Sequence, residues 1–311
     1  MAAPLPFILR NPPLRLCTHH LLPPLSYTTT TATTTAKPFY LISFSPYNAR
    51  SFPILMSTQM EGREITEEVT ETTETNVIGT KKVFVAGATG NTGKRIVEQL
   101  LAKGFAVKAG VRNLEKAKAS LPSDNPALQI VKADVTDGSA KLAEAISDDS
   151  DAVICATGFS YGWDVFAPWK VDNFGTVNLV EACRKLGVNR FILVSSILVN
   201  GAAMGQILNP AYIFLNVFGL TLIAKLQAEN YIRKSGINYT IIRPGGLKND
   251  PPTGNLVTEP EDTLSEGSIS RDLVAEVAVE ALANPEASYK VSRPDAPKRS
   301  YEDLFGSIKQ R

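Results

Sequence analysis

The residues best placed to do chemistry begin with a glycine pattern. Residues 87–93 read GATGNTG, directly after an apolar run (VFVA, 83–86) and directly before a helical pattern at 94–101. Strand, glycine-rich turn and helix in that order make a seat for a pyrophosphate. Gly87 permits the tight turn, Gly90 lets backbone amides approach the anion, and Gly93 lets the helix sit close to the strand. Thr89, Asn91 and Thr92 complete the loop, and the helix that follows offers unpaired N–H groups and the positive end of its dipole. A second apolar run ends AGVRN (109–113). Where an NAD enzyme offers a carboxylate to the ribose 2′-hydroxyl, this sequence offers Arg112, whose guanidinium can pair with a 2′-phosphate through two parallel hydrogen bonds. The expected cofactor is therefore NADP(H); the plain alternative for Arg112 is a solvated surface arginine.

Two further stretches suit the same ligand. Asp134 follows the third apolar run, where its carboxylate either accepts from an adenine amino group or caps the next helix. Ala156, Thr157 and Gly158 end the fourth run, which puts small residues at the carboxyl edge where doubly wound sheets bind ligands.

Elements that would position these residues are legible from 82 onward. The runs VFVAG, AVKAGV, LQIVKA, DAVICAT, FILVSS and YTIIRP alternate with helical patterns at 94–103, 171–186, 211–234 and 271–283. Such alternation predicts an α/β fold, a doubly wound parallel Rossmann sheet in a single domain. Asn209 and Pro210 read as the cap and first position of the third helix. A last strand at 289–292 and a helix from 301 would close the domain, which is expected to span 80–311.

The first 60 residues have a different composition. They hold no Asp or Glu, scatter Arg10, Arg15, Lys37 and Arg50 among Ser, Thr and Pro, and include the run TTTTATTT at 28–35. That is transit-peptide composition, read here as a chloroplast transit peptide expected to be disordered, with a merely disordered tail as the plain alternative, whereas Pro4, Pro12, Pro13, Pro23 and Pro24 interrupt every apolar stretch a secretory signal would need. An acidic linker is expected at 61–79. The chain of 311 residues carries a formal charge of +1, and without the leader the remainder is slightly acidic, so no broad nucleic-acid face is expected.

Both histidines, His19 and His20, lie in the leader, so the folded part can build neither a Ser-His-Asp triad nor a His-ligated metal site. No metal is expected. Cys155 and Cys183 are widely spaced and read as small buried apolar residues in a reducing compartment.

Several motifs in order carry a resemblance: GATGNTG, the VRN arginine, DAVICATG, LGVNRFILVSSI, YIRKSGINYTIIRPGGL and ISRDLV. On these the stretch from about 82 to 283 resembles the atypical short-chain dehydrogenase/reductase family. That group includes flavin reductase (biliverdin IXβ reductase) and the dehydrogenase domain of the redox-responsive component of the chloroplast inner-envelope translocon. The resemblance implies that residues 87–93 hold the pyrophosphate, that Arg112 reads the 2′-phosphate, and that Asp134 and Val135 flank the adenine. It further implies that Ser195 and Ser196 end the fifth strand beside the nicotinamide, and that Pro244, Gly245 and Gly246 form a loop over it. Ser196 is either part of the chemistry or a serine that satisfies its own turn.

Ordinary members of the superfamily use a Tyr-x-x-x-Lys pair, the lysine lowering the tyrosine pKa and binding the ribose. Here Lys225 is present, as candidate catalytic and ribose-binding residue or else a solvated helix charge, but Thr221 stands in the tyrosine position. An aliphatic hydroxyl is too weak an acid to replace a phenol whose unperturbed pKa is about 10. Reduction of a simple ketone is therefore not expected. A conjugated apolar acceptor (a flavin, a quinone or a tetrapyrrole-like molecule) spreads the charge left by hydride addition and can take its proton from water.

The stretch AYIFLNVFGLTLIA (211–224) is too short to span a membrane at about 20 residues. It reads as a core or homodimer-facing helix, or as an apolar pocket edge that rests peripherally on thylakoid or plastoglobule lipid. Two functions remain open at this point. One is an NADP(H)-dependent chloroplast oxidoreductase acting on a small apolar molecule. The other is a non-catalytic NADP(H)-sensing or docking protein in the stroma, although the Ser/Pro-rich docking tail of the translocon relative is not found before Arg311.

Overall fold

The computed structural model describes residues 40–43, 81–158, 164–217, 219–252, 256–284 and 287. All belong to the unit Lys37–Arg311. The expected linker and closing elements, and all of the expected leader but four residues, lie outside them. Those four are the exception to a leader outside the fold: Tyr40–Ser43 is a strand, β1.

Six strands make the core: β2 (Lys82–Ala86), β3 (Ala106–Val111), β4 (Leu128–Lys132), β5 (Ala152–Cys155), β6 (Arg190–Val194) and β7 (Asn238–Pro244). They pair in parallel in the order β4-β3-β2-β5-β6-β7, so the strand order reverses between β2 and β5, the place where doubly wound sheets bind ligands. Two short strands extend the β7 edge: β1 lies antiparallel to β7, and β9 (Leu256–Glu259) runs parallel to β1. Beside this sheet β8 (Gly246–Lys248) pairs in parallel with β10 (Ser268–Ser270).

Alternation along each strand feeds two cores. Val83 and Val85 join Ile96, Val97 and Leu100 of α1 (Asn91–Ala102) and Val274, Val277 and Ala278 of α7 (Arg271–Ala283). Phe84 and Ala86 join Leu142 and Ile146 of α3 (Ser139–Ile146), Leu179 and Val180 of α4 (Thr176–Leu186), and Ile232 of α6 (Thr221–Lys234). Burial on both sheet faces explains why the strands read as continuous apolar runs. Between β3 and β4 lies the short α2 (Leu114–Lys118), capped by Asn113.

Two helices differ from their sequence patterns. The pattern at 171–186 is a π-helix at Trp169–Gly175 that passes into α4, ending at Gly187 in the left-handed conformation. The pattern at 211–234 is two helices, α5 (Pro210–Val217) and α6, that meet at 86°. The physical reason is local: Gly219 and Leu220 both have positive φ, and the Asn216 carboxamide accepts the Leu222 N–H at 3.0 Å and so caps α6. At the start of α5 the expected Asn209 cap is present, its Oδ1 accepting from the Ala211 N–H at 2.9 Å.

Candidate functional site

The turn after β2 is held by its backbone. Gly87 has φ +77°, a conformation that L side chains rarely adopt, and the Gly90 N–H donates to the Gly87 carbonyl at 2.9 Å. A Cβ on Gly93 would lie 2.1 Å from the Gly87 oxygen, so the first turn of α1 packs against the loop at a distance only glycine allows. No side chain caps α1 and no acidic residue occupies its first turn. Its leading N–H groups are therefore open to an anion. This turn fits the diphosphate of a dinucleotide on geometry alone.

Two cavities meet at that turn, sharing Thr89, Gly90, Ala156, Thr157 and Gly158 in their walls. The smaller, about 520 Å³, also reaches Gly87, Arg112, Asp134 and Val135. It is the side that suits adenosine. Arg112 is exposed at the end of β3. Asp134 caps the 3-10 turn Val135–Asp137, accepting from the Thr136 N–H at 2.9 Å and the Thr136 hydroxyl at 2.8 Å. The capping alternative for Asp134 is the one seen, with its carboxylate still on the cavity wall.

The larger cavity, about 1100 Å³, runs from Asn91 and Thr92 past Ser195 and Ser196 to Lys225, with Pro244, Gly245 and Gly246 along one side. All the candidate site residues thus gather on the two cavities except Gly93, whose part is packing. The structure revises two of their roles. The Ser195 hydroxyl donates to Glu229 Oε1 at 2.5 Å and is committed to the protein, leaving Ser196 as the half-buried serine on the wall. Lys225 is not a solvated helix charge: its ammonium lies 2.7 Å from Oδ1 of Asp172, and its side chain is only 15% exposed.

Asp172 is buried within the π-helix and lines the same cavity. A π-helix is uncommon and is frequent at functional sites. Burial works against the Lys225 ammonium, but the Asp172 charge outweighs it and holds the lysine above its ordinary pKa. The group is a cation at neutral pH. Thr221, one helical turn before Lys225, is also buried on the cavity wall, and its hydroxyl has no hydrogen-bond partner among the described residues.

Beneath Ser195 lies a charge cluster that sequence reasoning missed. Glu229 of α6 is fully buried and receives Arg243 of β7 through Nε at 3.0 Å and Nη2 at 2.5 Å. Arg243 also reaches Asp262 at 2.7 Å and Glu261 at 2.8 Å, and Arg233 joins Glu261 at 2.5 Å. Burial alone would raise the Glu229 carboxyl, yet the arginine charges hold it below the usual glutamate range. Two sequence signals existed: Glu229 stands four residues after Lys225 on one helix, and Arg243 interrupts the apolar run YTIIRP. A charge inside a buried strand demands a buried partner.

Cys155 and Cys183, the two cysteines among the described residues, are buried and free. Burial pushes the Cys183 thiol up to about 12, which leaves it inert as a nucleophile.

Every large apolar side chain that is exposed among the described residues comes from two segments, 165–174 and 207–220. Leu208 is 85% exposed and Phe214 58%, and α5 has no buried residue at all. Asn209, Pro210, Ala211 and Leu215 of the second segment line the larger cavity. No charged residue occurs from 191 to 224. The apolar surface is therefore the rim of the site. No single helix among the described residues is long and apolar enough to cross a membrane.

The sequence pattern of a family described as NAD(P)H-binding matches residues 87–285. The chain is 77% identical over 238 residues to an uncharacterized chloroplastic protein of Arabidopsis thaliana, covering 75% of this chain and 85% of that one. To the chloroplastic protein TIC 62 of Pisum sativum it is 36% identical over 277 residues, covering 81% of this chain but 49% of the relative, so it spans about half of that protein's length. Among solved structures it is similar to an oxidoreductase of Lactococcus lactis, at 27% identity with a TM-score of 0.60, covering 73% of this chain and 95% of that one.

Proposed function

This chain belongs to the NAD(P)H-binding, oxidoreductase-like Rossmann family and is a chloroplast protein, and from that premise we propose that it is an NADPH-dependent oxidoreductase of the atypical short-chain type acting on a conjugated apolar acceptor such as a flavin, a quinone or a tetrapyrrole-like molecule. The observation that carries the proposal is the acceptor end of the larger cavity. There the place of a tyrosine acid is held by Thr221, and the neighbouring lysine is committed as a cation to Asp172.

NADPH supplies a hydride. The protein's part is to bind and orient. The backbone turn at 87–93 receives the diphosphate, and Arg112 pairs with the 2′-phosphate, which sets NADPH above NADH. Lys225, kept charged by Asp172, donates hydrogen bonds to the ribose and presents positive charge where electron density collects on the acceptor. Ser196 offers a hydroxyl at the end of β6. No tyrosine stands on this wall among the described residues and the Lys225 ammonium is held in its ion pair with Asp172, so the proton that completes reduction comes from water, which suits an acceptor whose charge is delocalised. The rim at 207–220, with Leu208, Phe214 and Val217 exposed and no charged residue, favours such a molecule over a charged one.

Stopped-flow measurement of NADPH oxidation by the purified protein, over flavins, quinones, tetrapyrroles and simple ketones, tests this reading. Turnover with at least one conjugated acceptor and near inertness toward ketones is expected. Lys225→Ala is expected to raise the nucleotide KM, and to depress kcat as well if the lysine also orders the proton-delivering water. Tight NADPH binding with no acceptor reduced would leave the protein a nucleotide sensor.

A further inference from the structure

Arg271 is the first residue of α7, directly after the Ser270 cap. Its guanidinium donates to the Leu247 carbonyl at 3.2 Å and to Asn249 Oδ1 at 2.9 Å, both neutral acceptors. The adjacent carboxylate is engaged elsewhere: Asp272 Oδ1 accepts from Arg95 of α1 at 2.7 Å. None of the ion pairs among the described residues includes Arg271. Partial burial and then the positive charge of Arg95 both disfavour its charged form. A cation in that position lacks its anion.

The missing anion has a place. Arg271 lines the larger cavity together with Thr89, Gly90, Asn91 and Thr92, the residues of the phosphate turn. Helices α1 and α7 pack together on one face of the sheet. The turn itself, residues 87–93, contains no cation. A dinucleotide diphosphate carries two negative charges, and backbone amides alone leave them without a full counter-charge.

Resting on the NAD(P)H reading, we propose that Arg271 supplies the side-chain cation of the diphosphate site, holding from α7 the same group that the backbone turn of α1 cradles. Arg112 then reads only the 2′-phosphate, and Arg271 serves NADPH and NADH alike. The neutral bonds to Leu247 and Asn249 aim the guanidinium and tie it to β8, which follows β7 after the single residue Gly245, so diphosphate binding and the β7–β8 junction on the cavity wall are mechanically linked.

Titration calorimetry on the full chain tests this with NADPH, NADH and ADP-ribose, the last carrying the diphosphate without nicotinamide or 2′-phosphate. Arg271→Ala and Arg271→Gln are each expected to weaken all three by about tenfold or more, and Arg271→Lys by less, because it keeps the charge but not the fork. Arg112→Ala is expected to leave ADP-ribose unchanged. Circular dichroism melting of each variant separates loss of fold from loss of charge, and Gln keeps a hydrogen-bond donor for Leu247. Unchanged ADP-ribose affinity in folded Arg271→Gln would overturn the proposal, as would a loss confined to the KM of an anionic acceptor. Failure of the unaltered chain to bind NADPH or ADP-ribose would instead remove the NAD(P)H reading beneath it.

Discussion

The two ends of the larger cavity are built by different means. At the phosphate turn the working groups are backbone amides, fixed by Gly87 and Gly93 within seven consecutive residues. At the Lys225 end, proposed above to meet the acceptor, they are side chains from segments far apart in sequence: Asp172 in a π-helix, Ser196 after β6, Thr221 and Lys225 on α6, with Glu229 and Arg243 behind the wall holding Ser195. A backbone site tolerates little change in residue size, and a side-chain site tolerates little change in charge. The contrast sets how each end breaks.

The largest effect is expected at the acceptor end. Glu229→Ala takes from Arg243 its fully buried partner and leaves it only the partly exposed Glu261 and Asp262, so the loss should approach but not exceed the roughly 3–5 kcal/mol of a broken buried ion pair. Chemical denaturation should show that loss, with the Ser195 end of β6 loosened through its broken bond to Glu229. Acid probes the same pair. Because the arginines lower the folded-state pKa of Glu229, its stabilisation is complete above the unfolded glutamate value of about 4.3 and is lost as pH falls through the lowered value. Lys225 runs the other way: its raised pKa makes its contribution complete below about 10.4, and that contribution fades as pH rises through the folded value. A plateau between the two limbs in a pH series of melting temperatures is the expected outcome.

Next comes the backbone end. Gly93→Ala puts a carbon 2.1 Å from the Gly87 oxygen and forces the turn and α1 apart. Overpacking of this kind costs about 1–3 kcal/mol, and NADPH and NADH affinity should fall together because the shared diphosphate seat is distorted. Calorimetry showing normal binding by the variant would mean that the turn is not the seat. Arg112→Ala is a finer cut, expected to weaken NADPH by about ten- to a hundredfold and leave NADH nearly unchanged. Equal losses for both nucleotides would make Arg112 a structural residue.

The same contrast explains what the sequence could be made to say. The phosphate turn, the six core strands and the Arg112 position are local patterns, and each stands where its pattern put it. The acceptor end depends on contacts that no local pattern records. Asp172 sits inside an ordinary helical stretch, and only the π-helix turns it toward Lys225. The break at Gly219 and Leu220 leaves little mark on the pattern, since Asn216, Gly219 and Thr221 interrupt an otherwise apolar run only weakly, and it is the Asn216 carboxamide accepting the Leu222 N–H that sets the start of α6. Ser195 and Ser196 look alike in sequence, yet a glutamate on another element binds one of them and leaves the other on the cavity wall.

The smallest structural effect is expected at the rim, and it separates an acceptor entrance from a folding element. Phe214 and Val217 are 58% and 63% exposed on a helix with no buried residue, so replacing both with serine removes little from the core. Surface changes of this kind usually lie within about 0.5 kcal/mol of neutral, and the melting temperature should hardly move. NADPH affinity should stay the same, because neither residue lines either cavity. If the rim guides apolar acceptors into the site, the double variant should raise the KM for the more apolar quinones several-fold while kcat on a small water-soluble acceptor is unchanged, the pattern of lost uniform binding. If α5 instead packs as a core element, the variant should melt markedly earlier with no selective change in KM. Steady-state kinetics on two acceptors of different apolarity, with a melting curve on the same sample, decides between the two.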